Sequence, residues 1–78
     1  MLELYYSQTC PYCKKVINYL EGNGIKYEPK DISVHKNYEI LMEKGKISQV
    51  PFLIDTDNNK MMYESDKIIE YIAQLNNK

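Results

Sequence analysis

The hydrophobic period changes abruptly near the start of the chain, and that change constrains the fold more than any other feature. Leu2, Leu4 and Tyr6 alternate with Glu3 and Tyr5, the two-residue repeat of a strand, and Ser7 to Thr9 interrupt it. From Pro11 onward Cys13, Val16, Ile17 and Leu20 fall at i, i+3, i+4 and i+7, with Lys14, Lys15, Asn18 and Glu21 opposite. A strand therefore feeds an amphipathic helix with Pro11 at its first position. Gly22-Asn23-Gly24 is expected to end the helix, because glycine takes the left-handed capping conformation at little cost.

The remaining segments extend this alternation. Ile25 to Ile32 reads as a second strand, which Pro29 restricts to an edge or a bulge. Ser33 is the expected N-cap of a helix reaching about Lys44, with Tyr38, Leu41 and Met42 on one stripe and Gly45 as its stop. Val50 to Asp55 has the continuous apolar character of a strand buried on both faces, entered through Pro51. Asp57-Asn58-Asn59 forms a turn, and Lys60 to Tyr63 returns as the second arm of a hairpin. Ser65 is expected to cap a last helix with the stripe Ile68, Ile69, Ile72 and Leu75, and Asp66 and Glu70 stand near its positive end. The order is β-α-β-α-β-β-α, an α/β domain over residues 1–78 without repeats, low-complexity tracts or linkers.

Composition narrows the function. Seventy-eight residues fit one small domain. Ten lysines, no arginine and eleven acids give a net charge of -1, without the basic footprint that nucleic acid requires. No apolar run approaches the roughly 20 residues of a membrane helix, and Met1 to Tyr6 lacks the layout of a secretory signal, so a cytoplasmic location is expected. Two cysteines are too few for a disulfide framework.

Those two cysteines occupy the strand-to-helix junction as Cys10-Pro11-Tyr12-Cys13. Cys10 falls at the helix N-terminus, where unpaired N–H groups and the positive end of the helix dipole favour a thiolate. Cys13 lies one turn on, in line with Val16 and Leu20, and is expected to be buried and less ionised. Cys10 is then the attacking thiol and Cys13 the resolving one. A structural disulfide closing a two-residue loop would gain little. A metal site in this chain is not expected, because His35 alone cannot complete the usual four ligands.

The thiol motif, the proline after Val50 and the element order together resemble the glutaredoxins of the thioredoxin fold, over essentially the whole chain. That resemblance implies a four-stranded mixed sheet and a cis Val50-Pro51 bond facing the reactive cysteine. The second half is similar to the glutathione-binding N-terminal domain of glutathione transferases through Gln49-Val50-Pro51 and through Glu64-Ser65 before Ile68, Tyr71 and Ile72. By this resemblance the Val50 backbone pairs with the cysteinyl part of glutathione. Ser65 and the N–H groups of Ser65 and Asp66 hold the γ-glutamyl carboxylate, a role that suits a helix N-terminus. Glu64 accepts from the γ-glutamyl ammonium, Gln49 bonds the tripeptide, Tyr12 shields the Cys10 sulfur and Lys14 meets the glycyl carboxylate. Two departures stand out: Ser7 replaces a lysine common in glutaredoxins, and Met62-Tyr63 replaces their Gly-Gly turn.

The implied function is glutathione-dependent thiol-disulfide oxidoreduction by a monomer. Glutathione serves as reductant and co-substrate, disulfide-containing or glutathionylated proteins are the partners, and no cofactor is bound. Two alternatives belong with it. One is a redoxin reduced by a thioredoxin-reductase-type flavoprotein and feeding, for example, ribonucleotide reductase. The other is a carrier bridging an iron-sulfur cluster with glutathione, against which Tyr12 and Cys13 speak, because such carriers usually have Gly-Phe-Ser after the first cysteine. A transferase proper would need a helical second domain for its electrophile, which these 78 residues do not contain.

Overall fold

A computed structural model of the chain describes residues 1–76; Asn77 and Lys78, the last two residues of the expected domain, lie outside them. The elements are β1 (Leu2–Tyr6), α1 (Pro11–Gly22), β2 (Glu28–Asp31), α2 (His35–Gly45), β3 (Phe52–Asp55), β4 (Lys60–Tyr63) and α3 (Ser65–Asn76). The sheet runs β2-β1-β3-β4, with β1 parallel to β2 and antiparallel to β3, and β3 antiparallel to β4. This is the α/β thioredoxin fold with a mixed four-stranded sheet. No helix among the described residues is long and apolar enough to cross a membrane.

Two clusters fill the space around the sheet. Leu4 and Leu53 meet Val16 and Leu20 of α1 and Ile68 and Ile72 of α3. Tyr5, Phe52 and Ile54 meet Leu41 of α2. All four residues of β3 are buried: Phe52, Leu53 and Ile54 continue the apolar run, and the Asp55 carboxylate is met by the Asn58 amide and the Tyr71 hydroxyl.

The element boundaries depart from the sequence reading for local reasons. Strand β2 is shorter than expected at its start, because the Ile25 N–H turns back to the Leu20 carbonyl of α1 at 2.9 Å. Pro29 sits on this edge strand, opposite Leu4, where a missing donor is tolerated. Ser33 does not cap α2. The N-cap is Val34, without a side-chain bond, and the Asp31 carboxylate instead takes the Ser33 N–H at 2.9 Å. The left-handed residue after α1 is Gly24, while Asn23 caps the helix through its side chain on the Tyr19 carbonyl at 2.8 Å.

Two further corrections bear on packing and on the site. Gly45 is the last residue of α2, and the left-handed conformation falls to Lys46. Glycine is needed at 45 because a Cβ there would overlap the ring of Tyr63. Ser65 is the first residue of α3 and not its cap. Glu64 precedes it with φ of +72°, and the Glu64 carbonyl accepts the Ile68 N–H at 3.0 Å. A non-glycine residue held there costs about 1–3 kcal/mol.

Candidate functional site

Cys10 itself caps α1. Its backbone is extended, at φ -91° and ψ 114°, and its Sγ accepts the Cys13 N–H at 3.3 Å. The Lys14 N–H bonds the Cys10 carbonyl and the Cys10 N–H bonds the Ser7 carbonyl, each at 3.2 Å. The sulfur thus occupies the place where a capping side chain normally satisfies an orphan donor of the first turn. On its other side the half-buried thiol lies 3.8 Å from the Val50 carbonyl, to which it donates.

Cys13 has a different environment. It is fully buried beside Val16 and Leu20 on the apolar face of α1. Its thiol is pushed up to about 12, by burial first and by the bond with the Cys10 side chain second, against an opposing backbone hydrogen bond from Ser7. Both residues are free thiols. The pair therefore holds one reachable sulfur carrying a helix N–H bond and one protonated sulfur behind it.

Beside Val50 lies a cleft of about 300 Å³ lined by Tyr12, Gln49, Val50, Pro51, Glu64, Ser65 and Asp66. Three segments far apart in sequence build it: the first turn of α1, the approach to β3 and the first turn of α3. The Val50-Pro51 bond is cis. Tyr12 is 64% exposed and forms an open aromatic wall, whereas Ser65 is buried at the cleft floor. The first N–H groups of α3 have no carbonyl partner within the helix, so this end of the cleft offers donors to an anion.

Of the residues expected to contact glutathione, Lys14 stands apart. It is exposed and does not line the cleft. The next residue, Lys15, reaches the rim and pairs with Asp66 at 2.8 Å. One residue is about 100° of helix rotation, which turns Lys15 toward α3 and Lys14 away. No local sequence signal marked Lys15, which the helical period sets with Lys14 opposite the Val16 and Leu20 stripe. The left-handed Glu64 and the Ser7 backbone bond at Cys13 had no signal either. Among the described residues, no three histidine, cysteine or acidic side chains gather as a metal site.

Residues 4–78 match the model of the glutathione S-transferase N-terminal domain. The chain belongs to that family. A glutaredoxin-like 8.6 kDa protein from the rubredoxin operon of Clostridium pasteurianum is 33% identical, covering 90% of this chain and 99% of its own. The isoprene-epoxide glutathione S-transferase of Rhodococcus is 34% identical over 80% of this chain, which spans only 24% of that enzyme. Glutaredoxin 2 of Salmonella typhimurium, solved in complex with glutathione, superposes with a TM-score of 0.83 over all of this chain and 35% of its own, at 23% identity. At that identity the likeness speaks to fold. The family domain is thus found both as a stand-alone glutaredoxin-like chain and as a quarter to a third of longer proteins.

Proposed function

We propose that the protein is a glutathione-dependent thiol-disulfide oxidoreductase with Cys10 as its nucleophile. The observation that carries this reading is the setting of Cys10, whose sulfur caps α1 on the Cys13 N–H and lies against Val50, a wall of the cleft. The glutaredoxin-like clostridial relative and the glutathione-linked names of the transferase and of glutaredoxin 2 support glutathione as the thiol co-substrate. In the cleft, the Val50 backbone, Gln49 and Pro51 would line the cysteinyl part. The N–H groups of Ser65 and Asp66 and the Ser65 hydroxyl would hold the γ-glutamyl carboxylate, with Glu64 facing the ammonium and Tyr12 covering the sulfur.

The chemistry is thiol-disulfide exchange. The Cys10 thiolate attacks one sulfur of a disulfide, a new S–S bond to Cys10 forms, the old one breaks, and the leaving thiolate takes a proton from water. Where Cys10 carries the glutathionyl group, a second glutathione thiolate attacks the glutathionyl sulfur. It releases Cys10 and glutathione disulfide, so one free glutathione is consumed and the substrate's own glutathionyl group leaves as the other half of that disulfide. For a protein disulfide, Cys13 loses its proton and attacks the Cys10 sulfur, releasing the reduced target and leaving a Cys10–Cys13 disulfide for glutathione to reduce. Because burial holds the Cys13 thiol up at about 12, the second route is the slower at neutral pH, and glutathionylated substrates are favoured.

Glutathione-coupled reduction of a glutathionylated peptide by wild type, Cys10→Ser and Cys13→Ser tests the reading. Cys10→Ser should fall to background while Cys13→Ser keeps most of the wild-type rate. Wild-type activity in Cys10→Ser would overturn the mechanism. Protein reduced by a thioredoxin-reductase-type flavoprotein but not by glutathione would replace the proposed electron donor.

A further inference from the structure

The side chains lining the cleft include two carboxylates, Glu64 and Asp66, and no base. A γ-glutamyl tripeptide thiol carries two carboxylates and one ammonium at neutral pH, so such walls alone would repel it. Each wall carboxylate is met, however, by a lysine from outside the lining. Lys67 Nζ lies 3.5 Å from Glu64 Oε2, and Lys15 Nζ lies 2.8 Å from Asp66 Oδ1.

The two pairs differ in kind. Lys67 and Glu64 are three residues apart at the start of α3. Lys15 belongs to the second turn of α1, the helix that Cys10 caps, and crosses to the first turn of α3. Both members of that cross-helix pair are largely exposed, with side chains 56% and 84% accessible. An ion pair this exposed adds little to folding and opens at little cost. Its ammonium, on a flexible four-carbon stem, can turn to a new anion without leaving the rim.

We propose that Lys15 is a specificity-determining residue for the γ-glutamyl carboxylate of the thiol co-substrate, an inference that rests on the glutathione-dependent activity proposed above. When the α-amino-acid end of the ligand reaches the first turn of α3, the Lys15–Asp66 pair opens. The Lys15 Nζ then turns to the ligand carboxylate, beside the Ser65 and Asp66 N–H groups, and Asp66 joins Glu64 in facing the ligand ammonium. One ion pair within the protein is exchanged for two across the interface, both at the α-amino-acid end of the ligand; the glycyl carboxylate takes no part in the exchange. The lysine does here what an arginine would do in a chain that has none.

The test compares KM and kcat for glutathione with those for cysteinylglycine, which keeps the thiol and the glycyl end but lacks the γ-glutamyl group. Lys15→Gln should raise the KM for glutathione on the order of tenfold, the scale of one lost charge-assisted hydrogen bond, with kcat and the KM for cysteinylglycine unchanged. Lys15→Arg should restore the wild-type KM. The double variant Lys15→Asp with Asp66→Lys keeps a pair between the helices but moves its charges, and its glutathione KM should stay raised. An unchanged glutathione KM in Lys15→Gln, an equal rise for both thiols, or full rescue by the double variant would each overturn the inference, the last by making the pair a mere strut. Wild-type protein inactive with glutathione but active with cysteinylglycine would also overturn it. Inactivity with any thiol would bring down the proposed function itself, and that is read before any variant is made.

Discussion

The two faces of the sheet are built differently. On one, α1 and α3 close over Leu4, Val16, Leu20, Leu53, Ile68 and Ile72, each no more than 1% exposed, with Tyr19, Ile17 and Ile69 packed around them. On the other, α2 contributes one fully buried residue, Leu41, while Val34 and Tyr38 remain open to solvent. Aromatic rings compensate there, with Phe52 4.6 Å from Tyr63 and 5.8 Å from Tyr5 between ring centres. The helices whose first turns carry Cys10 and the α3 amides are held by the thick face. Val50, the opposite wall of the cleft, packs against the thin one. The position of the thiol therefore depends on one core, and the shape of the cleft on both.

The same deletion on each face tests this contrast most strongly. Leu20→Ala should cost toward the upper end of about 2–5 kcal/mol, and Leu41→Ala toward the lower end, because the thinner face can settle into the gap. Urea unfolding measures both, and equal losses would break the comparison. On the thin face, Gly45→Ala should destabilise by about 1–3 kcal/mol through overpacking against Tyr63. It should raise the glutathione KM before it touches kcat, and an unchanged Tm would show that the α2 end yields freely.

Smaller effects separate the site from the fold. Glu64→Gly removes a left-handed side chain and should stabilise by about 1 kcal/mol, while weakening glutathione binding. Stabilisation without loss of binding would remove Glu64 from the site. The buried Cys13 thiol sets a pH limit. Its folded value is raised to about 12 by burial first and by the Cys10 bond second, against roughly 8.5 in an unfolded chain. The folded state binds the proton more tightly, so this contribution is fully present below about pH 8.5 and is lost as the pH rises toward 12. Tyr27 and Tyr71, also pushed to about 12 by burial and by bonds to Glu21 and Asp55, add to the same limb. Alkaline unfolding of Cys13→Ala should be shallower than that of wild type, and identical curves would break the assignment.

Much of this was legible before any coordinates. The switch of period at Pro11, the all-buried run after Pro51 and the hairpin turn at Asp57 to Asn59 each announce themselves locally, because a strand or helix face is written in neighbouring residues. The asymmetry of the thiols was legible for the same reason: Cys10 precedes the first helical residue and Cys13 continues the apolar stripe. The capping details were not. Ser33 and Ser65 have the right chemistry for N-caps, yet the Asp31 carboxylate takes the Ser33 N–H and the chain enters α3 through Glu64.

What the sequence determined by itself is the order of elements, the faces they bury and the thiol at the mouth of the first helix, all of which follow from interactions within a few residues. The tertiary structure alone decided that Gly45 is small because Tyr63 occupies the space, and that Lys15 rather than Lys14 pairs with Asp66 in the cleft wall. It also decided that Glu64 and Asp66 face Val50 across a cavity. Each of these depends on a partner tens of residues away, and no local period encodes which side chain a distant segment will bring.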